Sequence, residues 1–531
     1  MATSAKSETA SVERPTSAGV YPLAVIELGT TAIRMAIGET DGIRRVRILE
    51  QLVRGVSLGK DTFTQREIQR ETLAQCVEVL NSYRRKLKEY QVTNPQQIRV
   101  VATSAVREAA NRMAFLDRIY TSTGFVVEPI DDAEIARLTY LGIRPLLQQE
   151  PELREALTLL MEVGGGNTEI LLLRGKNIQH SQSYKLGSLR LLQIVKQYHA
   201  ARDQAVNIMH GQIDRTLEQL RDVIPQHGRI ELLALGGDLR FAAKTLQLEP
   251  QGSELVRVPV SRLQRLTMEL SQLSIEQMMR RHHLELSQAE TLVPALLANV
   301  RMAQMLNTKH LLVTGFNLRD AILQGMVQKA DWSQEFRDQI YRSAEELGRK
   351  YHVDLAHSRH VARLAVDIFR ALSSDEHADV RAETILYVGA LLHEIGLFVS
   401  NSGYHKHSYY VISNSEIFGL NSLDHKLTAL VARYHRRASP KASHAPFAEL
   451  DRESRVILTR MAGVLRVALC LAQSRSQRIR SVQCSVEKNC LVIRASGRTG
   501  DLSMEQLELR QNASLFQDVF GLGVLLREGN H

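Results

Sequence analysis

The sequence predicts an α/β protein of two similar lobes, followed by a helical domain and a small mixed C-terminal domain. The first observation is a repeat: an apolar run, an acid, an apolar residue and a glycine turn occur in IELGTTAIRM (26–35) and again in MEVGGGNTEI (161–170). Two copies of one strand-turn-strand pattern indicate two similar units. The second observation is that ten of the 18 histidines lie between His352 and His444, in a stretch with helical periodicity. These observations separate an α/β half of the chain from a helical half.

The composition is typical of a large globular protein. The chain has 531 residues, of which 44% are hydrophobic and 24% charged, and it contains no run of 18 apolar residues. These values exclude fibrous and membrane-spanning proteins. The predicted units are a disordered tail, two lobes, a helical domain and a C-terminal domain, with the bounds 1–20, 21–145, 146–330, 331–480 and 481–531.

Charge and cysteine content indicate the setting in which the protein works. The net charge of +9 gives a mild preference for anionic partners, but the excess per residue is small and a well-solvated surface explains it better. Aromatic residues make up only 5% and no basic stretch is interleaved with them, so we expect no dedicated nucleic-acid binding and no membrane partner. The four cysteines form no CxxC pair, which favours a reducing cytoplasm. The sequence leaves open whether the protein forms a homodimer.

In the first lobe the expected elements alternate between strands and helices. PLAVIELGTTAIRMAIGET (22–40) predicts two strands that turn at Gly29. A helix is expected over 65–92, then a buried strand at Ile98–Ala102 with a helix after it, and a short strand in GFVVEPI (124–130). This alternation is typical of an α/β domain.

The same kind of pattern predicts the elements of the second lobe and of the C-terminal region. ELLALGGDLR (231–240) and HLLVTGFNLRD (310–320) are strand-to-glycine turns that each precede a helical pattern, and the α/β region is expected to end near Lys329. Long amphipathic helices are expected from about Trp332. Beyond about Ser481, VQCSVEKNCLVIRASG (482–497) and SMEQLELRQ (503–511) alternate like strands.

Both glycine turns have the chemistry of a phosphate site. A backbone that turns on glycine after a strand presents successive N–H groups to an anion, and a hydroxyl in the turn adds a donor. Glu27 and Glu162 end the two equivalent strands, where they are expected to face each other across a cleft and hold Mg²⁺ against phosphate oxygens. The alternative for each acid is a buried cap of its turn. Arg34 and Arg107 can grip phosphate bidentately or be simply solvated.

The motifs together resemble one family. IELGTTAIRM, VVATSAVREA, EIARLTYLGI, MEVGGGNTEI and KLGSLRL, followed by HSRHVARLA, LLHEIGLFVSNSGYHKHSYYVI and ARYHRR, are similar to the exopolyphosphatase and guanosine pentaphosphate phosphatase family over about residues 21–475. The resemblance implies a two-lobed actin-like (ribonuclease H-like) phosphatase core, an all-helical HD-type domain and a small C-terminal α/β domain. It also implies Mg²⁺-dependent release of terminal phosphate from polyphosphate, or of the 5′ phosphate of guanosine pentaphosphate.

The resemblance assigns residues position by position. In the first phosphate loop, usually DLGSNS, this chain has Glu27 for the aspartate, with Thr30 and Thr31 for the serine and asparagine. In the second loop, usually DIGGGSTE, Glu162 replaces the aspartate and Asn167 the serine. The phosphate-binding positions that the resemblance implies are Gly29, Thr30, Thr31, Arg107, Gly164, Gly165, Gly166, Asn167, Thr168, Glu169 and Gly237.

Two departures from the family pattern bear on catalysis. The third turn, usually SGT, has Asp238 where threonine binds phosphate. The segment usually written SGxEEARL is DDAEIARL here, which puts Ile135 at the presumed general base, and isoleucine cannot accept a proton. Glu134 is then the expected substitute base, with Asp131 and Asp132 nearby; if the segment continues into a helix, Glu134 is aimed away from the cleft.

The helical domain offers a second set of polar residues. HD phosphohydrolases hold metal with a first histidine, a His-Asp pair and a later aspartate, and the corresponding residues here are His357, His393 and Glu394. In long exopolyphosphatases this domain resembles a scaffold instead. A cationic group, which we call the channel residues, can line a path for a polyanion or be surface residues: His405, Lys406, His407, Arg436 and Arg437.

The sequence therefore predicts a cytoplasmic, Mg²⁺-dependent phosphohydrolase acting on polyphosphate or guanosine pentaphosphate. In this hypothesis Glu27 and Glu162 place the metal and Glu134 serves as base. The rival is a protein that binds polyphosphate or guanosine tetra- or pentaphosphate without turnover, which Ile135 favours. A sugar or acetate kinase of the same two-lobed fold is disfavoured, because the helical domain matches phosphatases.

Overall fold

A computed structural model describes ten stretches of the chain. They are residues 20–41, 46–198, 202–221, 223–225, 228–249, 254–328, 332–372, 379–436, 438–497 and 501–528. Most of the predicted N-terminal tail, 1–20, lies outside the described residues. Within the described residues, no helix is both long and apolar enough to span a bilayer.

The first lobe is built on a five-stranded sheet with the strand order β3-β2-β1-β4-β5. Its strands are β1 (Tyr21–Leu28), β2 (Ala32–Thr40), β3 (Arg47–Gly55), β4 (Ile98–Ala102) and β5 (Val127–Pro129). Its helices are α1 (Leu58–Gln65), α2 (Arg70–Glu89), α3 (Ser104–Arg107), α4 (Arg112–Thr123) and α5 (Asp132–Gln149). The hairpin predicted around Gly29 is confirmed, since β1 and β2 pair antiparallel, and β4 has the predicted bounds.

The second lobe contains a six-stranded sheet with the order β10-β11-β9-β6-β7-β8. Its strands are β6 (Leu157–Val163), β7 (Thr168–Arg174), β8 (Asn177–Tyr184), β9 (Ile230–Leu235), β10 (Leu255–Pro259) and β11 (His310–Thr314). Its helices are α6 (Ser188–Gln197), α7 (Arg202–Arg221), α8 (Gly237–Thr245), α9 (Val260–Ser271), α10 (Ile275–His282), α11 (Leu286–Met305) and α12 (Leu318–Gln328). Both predicted strand-to-glycine turns lead into helices, α8 and α12.

Two helices cross between the lobes. From α12, Leu318 and Ile322 pack with Leu23 and Val25 of β1, and from α5, Tyr140 and other apolar residues pack with the second sheet. The predicted boundary between 145 and 146 therefore falls inside α5, which spans both lobes. The crossing places the N-termini of α5 and α12 next to the glycine turns.

The C-terminal half is helical with a small sheet. Its helices are α13 (Gln334–Lys350), α14 (Leu355–Ala371), α15 (Val380–Leu391), α16 (Tyr404–Ser413), α17 (Ser422–Arg433), α18 (Ala445–Ala448), α19 (Arg452–Leu471), α20 (Ser503–Asn512) and α21 (Ser514–Phe520). Its sheet has the order β12-β13-β14, formed by β12 (Ile479–Glu487), β13 (Cys490–Gly497) and β14 (Gly523–Glu528). Helices α14, α15, α17 and α19–α21 share one hydrophobic core with this sheet, whereas the buried residues of α13 and α16 pack with the second lobe.

One strand expectation is wrong. The segment SMEQLELRQ forms α20 and not a strand. Its buried residues are Glu505 and Leu509, with Leu502 just before the helix, so burial recurs every three to four residues and not every second residue. The apolar pattern of this short segment is compatible with the period of a strand and with that of a helix. Packing against α19 stabilises the helix.

Candidate active site

The two glycine turns meet in a cleft between the lobes. A cavity of about 380 Å³ is bordered by Glu27 of the first loop (27–31), by Glu162 of the second loop (162–167), and by the start of α8. It is lined by most of the predicted phosphate-binding residues: Gly29, Thr30, Thr31, Arg34, Gly164, Gly165, Gly166, Asn167, Glu169 and Gly237. These predicted residues therefore surround one cavity between the lobes.

The two loops touch, and glycine is what allows the contact. A Cβ on Gly165 would lie 2.7 Å from Cγ2 of Thr30, and a Cβ on Gly166 would lie 2.5 Å from Oγ of Ser104. Within the described residues, the backbone N–H groups of Thr30, Thr31, Gly165 and Gly166 donate to no protein acceptor. These donors converge from both lobes, which is the arrangement that binds an oxyanion.

The carboxylate of Glu27 is paired with arginines. One of its carboxylate oxygens accepts from the guanidinium of Arg319, and the other lies 3.6 Å from Nη1 of Arg34. Burial alone would raise the pKa of Glu27, but Arg319 and Arg34 outweigh it and hold the pKa below its ordinary value. The expected metal role of Glu27 is not supported, because Arg319 and Arg34 already compensate its charge.

Glu162 has the opposite environment. It faces Glu169 across the β6-β7 ladder, and no described side chain forms an ion pair with it. Burial and the charge of Glu27 raise the pKa of Glu162, although Arg240 opposes this. The site therefore carries an uncompensated carboxylate at the end of β6.

A second group of polar side chains lies beside the second loop. The guanidinium of Arg107 donates to the carbonyl of Ile130 at 2.7 Å and to the carboxylate of Asp132. Nδ2 of Asn167 donates to Asp132 at 3.2 Å. Arg107 thus contacts the start of α5 and lines a neighbouring cavity of about 330 Å³ instead of the cleft, so the structure does not place it where the sequence expected a phosphate grip.

Glu169 completes this group. Oγ of Ser183 donates to its carboxylate at 2.7 Å. Burial, followed by the charges of Asp132 and Glu162, raises the pKa of Glu169 well above its ordinary value. Three carboxylates at the same edge of the cleft create an excess of negative charge.

The structure does not place Glu134 in the cleft. Both oxygens of Glu134 accept from the guanidinium of Arg137 at 2.7 Å, and Glu134 lines a different cavity, next to Arg99. The reason is helical geometry: α5 begins at Asp132, so Asp132 and Ile135 share the face toward the cleft, and Glu134 lies about 100° from Ile135. The assignment of Glu134 as base is therefore not supported, and Asp132 is the acid on the cleft face.

Thr168 is also not in the cleft. It is buried, and its hydroxyl donates to the carbonyl of Leu186, which uses its only proton. Asp238, in contrast, lines the cleft at the start of α8, where burial raises its pKa to about 6. Thr168 therefore supports the second loop and does not line the cleft.

Sequence reasoning missed Arg240 and Arg319 and named Asp132 only as an acid near the base position, and all three line the cleft. The two arginines had a signal, since each ends the same pattern of glycine, any residue, Asp or Asn, leucine and arginine: GGDLR (236–240) and GFNLR (315–319). This pattern follows strands β9 and β11, whose ends meet at one edge of the sheet. Asp132 can be placed on the cleft face only when the first residue of α5 is known, and the sequence did not determine that residue.

The channel residues lie elsewhere. Arg436 stacks on the ring of Tyr404 with 4.9 Å from Cζ to the ring centroid, and His405 to His407 belong to α16. Neither cavity beside the glycine loops is lined by any described channel residue. Arg437 lies outside the described residues. His405 and Arg436 therefore lie near His435 of the helical domain.

Comparison with known families gives two matches that cover most of the chain. The model of the Ppx/GppA phosphatase family matches residues 31–330. The model of Ppx/GppA phosphatase domain III matches residues 340–513. The first match covers both lobes from β2 onward, and the second covers the helical domain from within α13 and part of the C-terminal sheet.

Individual relatives are distant but extend over most of their length. Two proteins of Aliivibrio fischeri, from strains ES114 and MJ11, are named guanosine-5′-triphosphate,3′-diphosphate pyrophosphatase; they are 21% identical over 472 residues and 22% identical over 475, covering 88% of this chain and 90% of each relative. The structure of an exopolyphosphatase from Cytophaga hutchinsonii is 22% identical, with a TM-score of 0.51, and covers 58% of this chain and 98% of that chain. This similarity supports a shared fold of the core.

Proposed function

Since this chain belongs to the Ppx/GppA phosphatase family, we propose that it is a phosphohydrolase that releases terminal phosphate from inorganic polyphosphate, from guanosine pentaphosphate, or from both. The observation that carries the proposal is the convergence of unpaired N–H groups from two glycine loops on one cleft that also holds Arg34, Arg240 and Arg319. Such a cleft suits a polyanion whose terminal phosphate needs charge neutralisation. We also propose that the protein acts in the cytoplasm.

Asp132 is the group that we propose as general base. It lies on the cleft face of α5, and its contacts with Arg107 and Asn167 fix its orientation. Asp131 helps to hold it, because Asp131 accepts from the N–H of Glu134 at 2.7 Å and from the N–H of Ser422 at 2.5 Å, linking the start of α5 to α17. Water attacking the terminal phosphorus would pass its proton to the carboxylate of Asp132.

The carboxylates of the second loop are available to bind Mg²⁺, whereas the carboxylate of the first loop is not. Glu27 is already neutralised by two arginines, whereas Glu162 has no ion-pair partner among the described residues and Glu169 has only Ser183. We propose that Glu162 and Glu169 hold Mg²⁺. When bound, the ion supplies positive charge that offsets the charge of phosphate oxygens. The three arginines neutralise the remaining oxygens.

The alternative function is binding of polyphosphate or guanosine tetra- or pentaphosphate without turnover. The observation that favours it is Ile135, an apolar residue on the cleft face where the family has an acid. A site with intact phosphate donors and no competent base would bind and not hydrolyse.

A phosphate-release assay distinguishes the two functions. The full chain is assayed with long-chain polyphosphate and with guanosine pentaphosphate, with and without Mg²⁺, and ligand binding is measured on the same samples. We expect Asp132→Asn to lower release by about 10² to 10⁴, the usual contribution of a positioned base. Glu134→Gln, the matched control two residues away, should change release by less than about tenfold. Binding without release in the wild type would establish the alternative, and release insensitive to Asp132→Asn would refute the base assignment.

A further inference from the structure

One arginine of the second lobe joins the two lobes outside the cleft. Arg190 is the third residue of α6. Its Nη2 donates to both carboxylate oxygens of Glu108 in the first lobe, at 2.7 and 2.6 Å. Its guanidinium also stacks on the ring of Phe63 in α1, with 3.9 Å from Cζ to the ring centroid. Arg190 does not line the cleft, so it can act on a ligand only through other residues.

The same guanidinium holds the second glycine loop. Nε of Arg190 donates to the carbonyl of Gly166 at 2.7 Å. The carbonyls of Gly164 and Gly165 accept from backbone N–H groups in the first turn of α6, at 2.9 and 3.0 Å. Three successive carbonyls of the loop therefore face α6, and the side chain of Arg190 supplies the donor for the third.

These contacts orient the N–H groups of the loop. In a planar trans peptide unit the carbonyl and the N–H that follows it point in opposite directions. Because the carbonyls of Gly164 and Gly165 face α6, the N–H groups of Gly165 and Gly166 point away from it, and these are the donors that converge on the cleft. Arg190 fixes the next peptide unit, between Gly166 and Asn167, in the same way.

The partner of Arg190 in the first lobe is next to the residue that orients Asp132. Glu108 directly follows Arg107 at the end of α3, and Arg107 donates to Asp132. The side chains of Arg190 and Glu108 are 19% and 29% exposed. Ion pairs that water can reach contribute little to stability. The geometry that this pair imposes on the site is therefore a better explanation of it than stability.

We propose that Arg190 is a positioning residue that sets the spacing of the two lobes at the cleft. The correct spacing lets the N–H groups of the second loop and the carboxylate of Asp132 act on the same phosphate. The proposal rests on the proposed function, because it assigns Arg190 a part in the same reaction. A displacement of about 1 Å can cost about 10² in rate. Binding should suffer less than catalysis, because α6 still holds two of the three loop carbonyls.

Two single variants and their combination test the proposal in the full-length protein. Arg190→Met removes all three contacts, and Glu108→Gln removes the charged link between the lobes. Tripolyphosphate binding is measured by calorimetry with a chelator present, and phosphate release with Mg²⁺ gives kcat and KM. We expect each variant to lower kcat by about 10² and to weaken tripolyphosphate binding by about tenfold, the loss of one hydrogen bond to a charged group. The double variant should be no worse than Arg190→Met, because both changes break the same link.

Lys196→Met is the matched control. Lys196 is an exposed residue of α6 that pairs with Glu290 of the same lobe at 3.3 Å, so kcat and the Kd of tripolyphosphate should stay at the wild-type values. Unchanged kcat and Kd in Arg190→Met would overturn the proposal. A variant that loses only folded protein would show fewer binding sites with unchanged Kd and KM, and this result would also overturn it.

The binding measurement separates this proposal from the proposed function. If the wild type binds tripolyphosphate without releasing phosphate, hydrolysis is refuted, and a tenfold weaker Kd in Arg190→Met still supports the positioning role. An unchanged Kd in that case overturns it. A wild type that neither binds nor hydrolyses tripolyphosphate overturns both proposals.

Discussion

In the first glycine loop both carboxylate oxygens of Glu27 contact arginines, whereas in the second loop no described cation contacts Glu162. The backbones of the two loops are nevertheless equivalent. Part of the difference comes from the strand partner, since Glu27 lies opposite Arg34 on β2 and Glu162 lies opposite Glu169 on β7. Opposite charges across a ladder attract and like charges repel. The larger part comes from Arg319 of α12, which donates to Glu27. Together these contacts separate a structural acid from one that is available to bind a cation.

The largest expected effect is that of breaking the charge compensation at Glu27. Glu27→Gln leaves Arg319, which is 9% exposed, without its carboxylate partner. An uncompensated buried charge costs about 3–5 kcal/mol of the free energy of unfolding, and we expect the thermal midpoint to fall accordingly. Glu162→Gln is the matched control in the equivalent position and should not destabilise. An equal loss in both variants would contradict the difference between the loops.

The second prediction concerns Mg²⁺ and the second loop. At a Mg²⁺ concentration of 100 times Kd, binding stabilises the native state by about 2.7 kcal/mol. We expect thermal unfolding to show this stabilisation in the wild type and not in Glu162→Gln, because Glu162 carries the unpaired carboxylate. Glu269→Gln, at an exposed acid of the same lobe, is the control and should respond like the wild type. A full response in Glu162→Gln would remove that residue from the metal site.

The sequence predicted what depends on local pattern. The hairpin at Gly29 and the second loop follow from glycine turns after buried strands, which need no information from elsewhere in the chain. The pairing of Arg34 with Glu27 and of Glu169 with Glu162 was also accessible, since each partner follows its acid by seven residues in a predicted hairpin. The cross-strand part of the contrast between the loops was thus present in the sequence.

What the sequence did not reveal depends on long-range packing. Arg319 reaches Glu27 across 292 residues because α12 crosses back onto the first lobe, and no local pattern encodes that crossing. The cleft face of α5 depends on where the helix begins, and a shift of one residue exchanges Glu134 with Ile135. Crossing helices and helix starts are decided by tertiary contacts.

The smallest expected effect is the pH dependence of the two acids, and it has opposite signs. The folded-state pKa of Glu162 is raised, so its charge costs stability above that pKa and the cost disappears as the pH falls toward the ordinary value of 4.5. The folded-state pKa of Glu27 is lowered, so its ion pairs contribute stability above 4.5, and that contribution is lost only as the pH falls through the lowered value.

Chemical denaturation of both glutamine variants between pH 4 and pH 8 measures this difference. We expect Glu162→Gln to be more stable than the wild type at neutral pH by less than about 1 kcal/mol, the size of a cross-strand like-charge interaction, and the gain to vanish near pH 4.5 as the wild-type carboxyl protonates. The deficit of Glu27→Gln should persist to about pH 4.5 and shrink only below it. A gain for Glu162→Gln that is independent of pH would mean that packing, and not the burial of its charge and the repulsion from Glu27, sets the environment of the second loop.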